Sequence, residues 1–160
     1  MRWHMLDRID EMVQGEQARG AKVWPAELEF FQDHFPGFPV VPGVLLLEAM
    51  AQLAGKLIGY TVRLERGDWP FPVFSMAEKV KFRRFVRPGD EVELVARFVA
   101  LREESAVMHV EARVDGQRHA QAEQTFVFNA VPFENESESQ NVERLERAEM
   151  KRLWAECPDE

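Results

Sequence analysis

From Val44 to about Val62 the chain is apolar on nearly every helical face, through Leu45, Leu46, Leu47, Ala49, Met50, Ala51, Leu53, Ala54, Leu57 and Ile58. A helix without a polar side has to be wrapped by other structure. In a chain of 160 residues, one domain with a real core and too short for two ordinary ones, the wrapping expected is a sheet. The helix starts at Pro42 or Gly43, because proline is well placed in a first turn where its missing N–H has no partner to lose. A carboxylate interrupts the apolar run early. Glu48 sits on the second turn, and a carboxylate there is costly unless something uses or satisfies it.

The second half supplies strand signals. Phe71–Ala77 and Lys79–Val86 precede the turn Arg87-Pro88-Gly89-Asp90, and Glu91–Val99 and Ala106–Val114 alternate polar and apolar residues with period two. The second of these ends at the hairpin signal Asp115-Gly116, and a last strand is expected through Ala122–Phe128. Lys22–Phe31 is read as a strand leading into the segment before the helix. These elements predict an α+β domain over residues 1–132. Residues 133–141, acidic and without core material, read as a linker. A charged helix and tail follow over 142–160, with a Glu143–Arg147 pair and a weak apolar stripe of Val142, Leu145, Leu153 and Trp154.

Composition narrows the function. Apolar residues make up 46% and charged residues 30%, as in a soluble globular protein, and a net charge of −8 argues against generic nucleic-acid binding. The single cysteine, Cys157, excludes an internal disulfide framework and a cysteine-based metal cluster, and fits a reducing, cytoplasmic setting. The first residues lack the apolar stretch of a signal peptide. The longest apolar run, Val40 to Ala51, is interrupted by Pro42, Gly43 and Glu48, so no membrane span is expected. His4, His109 and His119 fit no metal-ligand spacing, and neither a metal nor a cofactor is expected.

Chemistry concentrates between Asp33 and Gln52. Pro36, Pro39 and Pro42 with Gly37 and Gly43 stiffen the backbone around His34 and allow a ligand to approach closely. The Gly43 and Val44 amides fall in the first helical turn, lack intrahelical acceptors, and can hold a carbonyl oxygen as it gains negative charge. Gln52 follows Glu48 at i+4, on the same face, within reach to orient it. A histidine and a glutamate on stiff backbone suit the removal of one proton and the delivery of another. Downstream, Lys79, Lys81, Arg83, Arg84 and Arg87 form a basic stretch in an acidic protein, read either as a solvated strand and turn or as a docking surface for an acidic carrier protein.

His34-Phe35-Pro36-Gly37, then Pro39, Pro42-Gly43-Val44-Leu45, Glu48 and Gln52 resemble the signature of the 3-hydroxyacyl-[acyl-carrier-protein] dehydratases of type II fatty acid synthesis. Lys81-Phe82-Arg83-Arg84 with Val86, Pro88, Gly89 and Asp90 resembles a second family motif, and the likeness runs from about Met5 to Phe128. The resemblance implies a hotdog fold, at least a dimer, and a site shared between protomers with histidine from one and glutamate from the other. It implies that His34 takes the C2 proton, Glu48 protonates the leaving C3 hydroxyl with help from Gln52, and the Gly43 amide polarises the thioester carbonyl. The partner it implies is acyl carrier protein bearing a 3-hydroxyacyl chain. The related isomerising branch usually carries Asp at the acidic position, so Glu48 favours simple dehydration.

Three departures stand out. The helix and Leu-Pro-His-Arg-like segment that ordinarily precede the stretch resembled by Met5–Ile9 are not in the sequence, so an altered tunnel wall is expected. Asp33 replaces the usual glycine before the histidine. The acidic linker and terminal helix look like additions, and the whole suggests a divergent member serving a specialised acyl pathway. Two other readings stay open: a hotdog acyl thioesterase, and a non-catalytic acyl-binding or assembly subunit.

Overall fold

The computed structural model describes residues 1–158. In chain order it contains β1 (Arg8–Val13), β2 (Gln17–Lys22), a short 3-10 helix (Glu29–Gln32), α1 (Gly43–Arg66), β3 (Val73–Phe82), β4 (Val92–Leu101), β5 (Ser105–Val114), β6 (Gln117–Val127) and α2 (Glu136–Leu153). The strands form one antiparallel sheet in the order β1-β2-β4-β5-β6-β3. The sheet curls around α1, which makes this a hotdog fold of the α+β class.

Period two decides which side chains meet the helix. In β5, Ala106, Met108, Val110 and Ala112 are fully buried on the inner side, with His109 and Arg113 on the outer. The α1 residues beneath them, among them Leu53, Ala54, Leu57 and Ile58, have no exposure at all. By length and composition α1 would suffice to cross a membrane, contrary to the expectation that Pro42, Gly43 and Glu48 interrupt it too much. Its interruptions lie at and near the N-terminus, and the sheet takes up its apolar surface instead.

Several sequence expectations need correction. Lys22–Phe31 is not a strand: β2 ends at Lys22, Pro25 interrupts ladder formation, and the aromatic residues that follow bury Trp24 and Phe31 through a loop and the 3-10 helix. The β1–β2 hairpin carries no clear alternation in sequence, because the charged outer residues of its short strands mask it. The strands expected over Phe71–Ala77 and Lys79–Val86 merge into one, β3, which spans only Val73–Phe82 and leaves Arg83–Val86 outside the sheet, with irregular pairing between Glu78 and Lys81 and Lys79 at φ +53°. β6 begins directly after the Asp115-Gly116 turn, earlier than expected, and both turn residues have positive φ.

The terminal helix also begins earlier. Glu136 to Asn141, read as linker, form its first turns, capped by Asn135, whose side chain accepts from the Glu138 N–H at 2.9 Å. Glu136 and Glu138 sit where the helix dipole favours acids, so a composition typical of disorder serves here as a helix start. α2 packs through Met150 and Leu153, with Trp154 at its end, while Leu145 of the expected stripe stays exposed. Trp154 meets Tyr60 of α1 edge-on, with ring centroids 5.4 Å apart, and bridges to Ile9 of β1. The expected Glu143–Arg147 pair forms at 3.2 Å.

Candidate active site

The His34 loop is held almost entirely by backbone. Phe35 and Phe38 exchange hydrogen bonds, Phe35 N–H to Phe38 O at 3.0 Å and the reverse at 2.9 Å. Pro36 and Gly37 fill the centre of this turn, and Gly37 at φ +75° takes the position where a side chain is strained. The His34–Phe35 peptide is cis, and the two rings stack at 4.1 Å. Val40 N–H donates to His34 O at 3.0 Å, and His34 Nδ1 lies 3.1 Å from Val40 O. A carbonyl only accepts, so Nδ1 carries the proton, and the Nε2 lone pair is left as a base.

The second motif clamps this loop. Val41 N–H donates to Val86 O at 2.8 Å, and Arg87 Nε donates to Pro39 O at 2.8 Å while its guanidinium covers the Phe38 ring at 4.3 Å. Asp90 in turn accepts the Arg87 N–H. Arg87 thus holds the loop while staying exposed, and Lys79 pairs with Glu123 at 3.2 Å. Lys81, Arg83 and Arg84 are exposed beside them. Asp33, also exposed, ends the 3-10 helix as an ordinary loop residue.

At the start of α1, Leu45 N–H makes the first turn bond, to Pro42 O at 3.0 Å, so the Gly43 and Val44 amides precede the helical ladder. A Cβ on Gly43 would come within 2.8 Å of the Phe82 ring, so glycine lets that ring lie against the helix start. Val44 is 72% exposed.

Glu48 is held by side chains. Trp3 Nε1–H donates to Glu48 Oε1 at 3.0 Å and Gln52 Nε2 to the same oxygen at 3.1 Å. Gln52 is fixed in turn: its Oε1 accepts the Met5 N–H at 2.9 Å, and its Nε2 also reaches Trp3 O at 3.2 Å. With both donors on Oε1, Oε2 is the oxygen left to carry a proton. Glu48 opens onto a cavity of about 570 Å³, in the range of small-molecule sites, whose apolar walls include Trp69, Phe71, Phe74 and Phe126. Met76 and Phe82, further along β3, are exposed.

The structure thus gathers Glu48 with Gln52, and His34 with the loop and second motif. Among the described residues no hydrogen bond joins His34 to Glu48, and His34 does not line the Glu48 cavity. Sequence reasoning missed Trp3, for which nothing local gave a signal. It also missed Lys56, which stands to Glu48 at i+8 as a second charge in the apolar helix and could have been flagged on that ground.

A family model described as a FabA-like domain matches residues 1–123. The 3-hydroxyacyl-[acyl-carrier-protein] dehydratase FabZ of Oenococcus oeni is 42% identical over 123 residues, which span 77% of this chain and 86% of that protein. The chain belongs to the FabZ-type dehydratase family. The FabZ of Syntrophobacter fumaroxidans is 39% identical over 134 residues, 83% of this chain and 88% of its own. Among solved structures, the dehydratase heterocomplex ApeI:P from Xenorhabdus doucetiae superposes with a TM-score of 0.66 at 13% identity, covering 88% of this chain and 89% of that one. A hypothetical thioesterase with coenzyme A from Streptococcus pneumoniae gives 0.60 at 14%, covering 76% and 87%. At such identities these neighbours speak to the hotdog fold alone. The residues matched by the FabA-like model run through β1, β2 and α1 into β6 and stop short of α2.

Proposed function

We propose that this chain is a cytoplasmic dehydratase that converts a 3-hydroxyacyl thioester on acyl carrier protein into the trans-2-enoyl thioester and water. His34 Nε2 takes the C2 proton, and the electron pair left behind forms the C2–C3 double bond as the C3–O bond breaks. Glu48, protonated on Oε2, gives its proton to the departing hydroxyl, which leaves as water. The Gly43 amide, with the helix dipole behind it, polarises the thioester carbonyl while C2 is acidified. Return of the proton from His34 to Glu48 restores the starting state. The observation that carries this reading is the His34 Nδ1–H bond to Val40 O, which sets the tautomer a general base needs.

His34 works with Glu48 of a second copy. β3 is a ten-residue strand at the open edge of the sheet, with Val73, Met76 and Phe82 exposed along it and Phe35, Phe38, Val44 and Phe85 exposed nearby. A long edge with apolar side chains invites strand-to-strand pairing between copies. The exposed Lys81, Arg83 and Arg84 then offer an acidic carrier protein a docking surface beside the His34 loop.

Mass spectrometry of carrier-bound 3-hydroxyacyl substrates after incubation decides among the readings. Loss of one water is expected, with His34→Ala and Glu48→Gln slowing it by about 10²–10⁴ while melting like wild type. Loss of the acyl group would identify a thioesterase. An unchanged mass would leave a non-catalytic acyl-binding subunit, and variants as fast as wild type would remove His34 and Glu48 from the chemistry.

A further inference from the structure

The far end of the Glu48 cavity is built by α2, which lies outside the residues matched by the family. Glu48, Gln52 and Lys56 follow one another at i, i+4 and i+8 on α1 and line the same cavity. At 1.5 Å rise per residue, Lys56 lies about 12 Å further along the helix axis than Glu48. Its side chain is 8% exposed, and its ammonium donates to Glu146 Oε2 at 2.5 Å and Glu149 Oε2 at 3.2 Å. Burial alone would push the Glu149 carboxyl up, but Lys56 and then His4, 3.4 Å away, outweigh it and hold it below its ordinary value. Packing of Met150, Leu153 and Trp154 into the core fixes the helix that carries these acids. Beyond Lys56 on α1, the edge of the Trp69 ring lies against Gly59, where a Cβ would come within 2.3 Å of it.

We propose that α2 is the end wall of the acyl site, and that the Lys56–Glu146–Glu149 cluster sets an upper limit on the length of a straight, apolar chain. This rests on the dehydratase reading, which places the reacting carbons at Glu48. A hydrocarbon end driven into the cluster would separate the buried Lys56 ammonium from its half-buried partners without replacing them. An extended chain advances roughly 1.2 Å per bond, as a polypeptide does over its three backbone bonds, so about ten carbons fit between Glu48 and Lys56.

Saturated acyl-pantetheine thioesters of increasing length are suitable probes, because without a 3-hydroxyl they bind but cannot be dehydrated. Titration calorimetry is expected to show affinity rising with each methylene until about ten carbons lie beyond C3, then falling at least about tenfold. The variant Lys56→Met/Glu146→Met/Glu149→Met replaces the charges with apolar volume and moves the fall to longer chains, leaving short ones unaffected. Val142→Trp, on the cavity side of α2, moves it to shorter chains and serves even where the triple variant does not fold. Affinity that keeps rising through the longest probe, or a profile indifferent to the folded variants, overturns the wall. Carrier substrates are read separately. Water loss with no length limit in the binding profile overturns this inference alone, whereas a limited profile without water loss overturns the dehydratase reading and keeps the wall.

Discussion

Two glutamates, the half-buried Glu48 and the buried Glu111, differ in the company they keep. Glu111, on the outer side of β5, is 3% exposed and surrounded by cations or potential cations: Arg113 donates through Nε at 2.8 Å, Arg118 lies at 3.4 Å, and His109 Nε2 at 3.0 Å. Burial by itself raises its pKa, but His109 and Arg113 more than reverse that, and the group is held down at about 2. Glu48 accepts from an indole and an amide, both neutral, and among the described residues no cation pairs with it. Protonating Glu111 breaks an ion cluster; protonating Glu48 breaks none. A carboxylate locked in its charged form organises structure, while one bound by neutral donors can hand over a proton.

The bluntest way to break this contrast is to neutralise each acid. Glu48→Gln is expected to cut the rate of water loss by about 10²–10⁴, and Glu111→Gln to leave it within a few-fold of wild type. Equal losses in kcat would show that the surroundings do not separate the roles. A subtler variant gives Glu48 the company of Glu111. Gln52→Lys keeps the acid but places a cation one turn away, which favours the charged carboxylate, and kcat should fall by about 10².

Glu111 itself makes a pH prediction. Its folded-state pKa lies below the unfolded value, so its contribution to stability is complete above about 4.5 and is lost as pH falls towards about 2. Thermal melts of wild type should therefore fall across that window. In Glu111→Gln the slope should flatten, and an unchanged slope would remove Glu111 from the structural role. The smallest effect expected is at Trp3. Trp3→Phe removes one hydrogen bond to Glu48 Oε1, worth about 0.5–1.5 kcal/mol, so kcat should drop by roughly two- to tenfold with KM unchanged. A change confined to KM would make Trp3 a wall of the cavity instead of a positioning residue.

Much of the site was legible because its cues are local. The prolines and glycines around His34 dictate a stiff turn wherever the loop is placed, and the spacing of Glu48 and Gln52 puts them on one helix face before any packing is known. The role of the second motif was not legible as such. Arg87 read as a candidate for carrier docking, yet it clamps Pro39 and Phe38, a contact across 48 residues that no local pattern reveals. The short β1–β2 hairpin and the early start of α2 escaped for a related reason: charged outer residues look alike in a loop, a strand and a capped helix.

By itself, then, the sequence determined the wrapped apolar helix, the antiparallel strands around it, and the residues with the chemistry to move two protons. These follow from periodicity and backbone restriction, which act over a few residues. Only the tertiary structure decided that Trp3 reaches Glu48, that Arg87 serves the His34 loop, and that α2 turns its acids onto Lys56 to close the cavity. Each of those depends on bringing together groups dozens of residues apart, where hydrogen-bond reach of about 3 Å depends on packing and not on spacing along the chain.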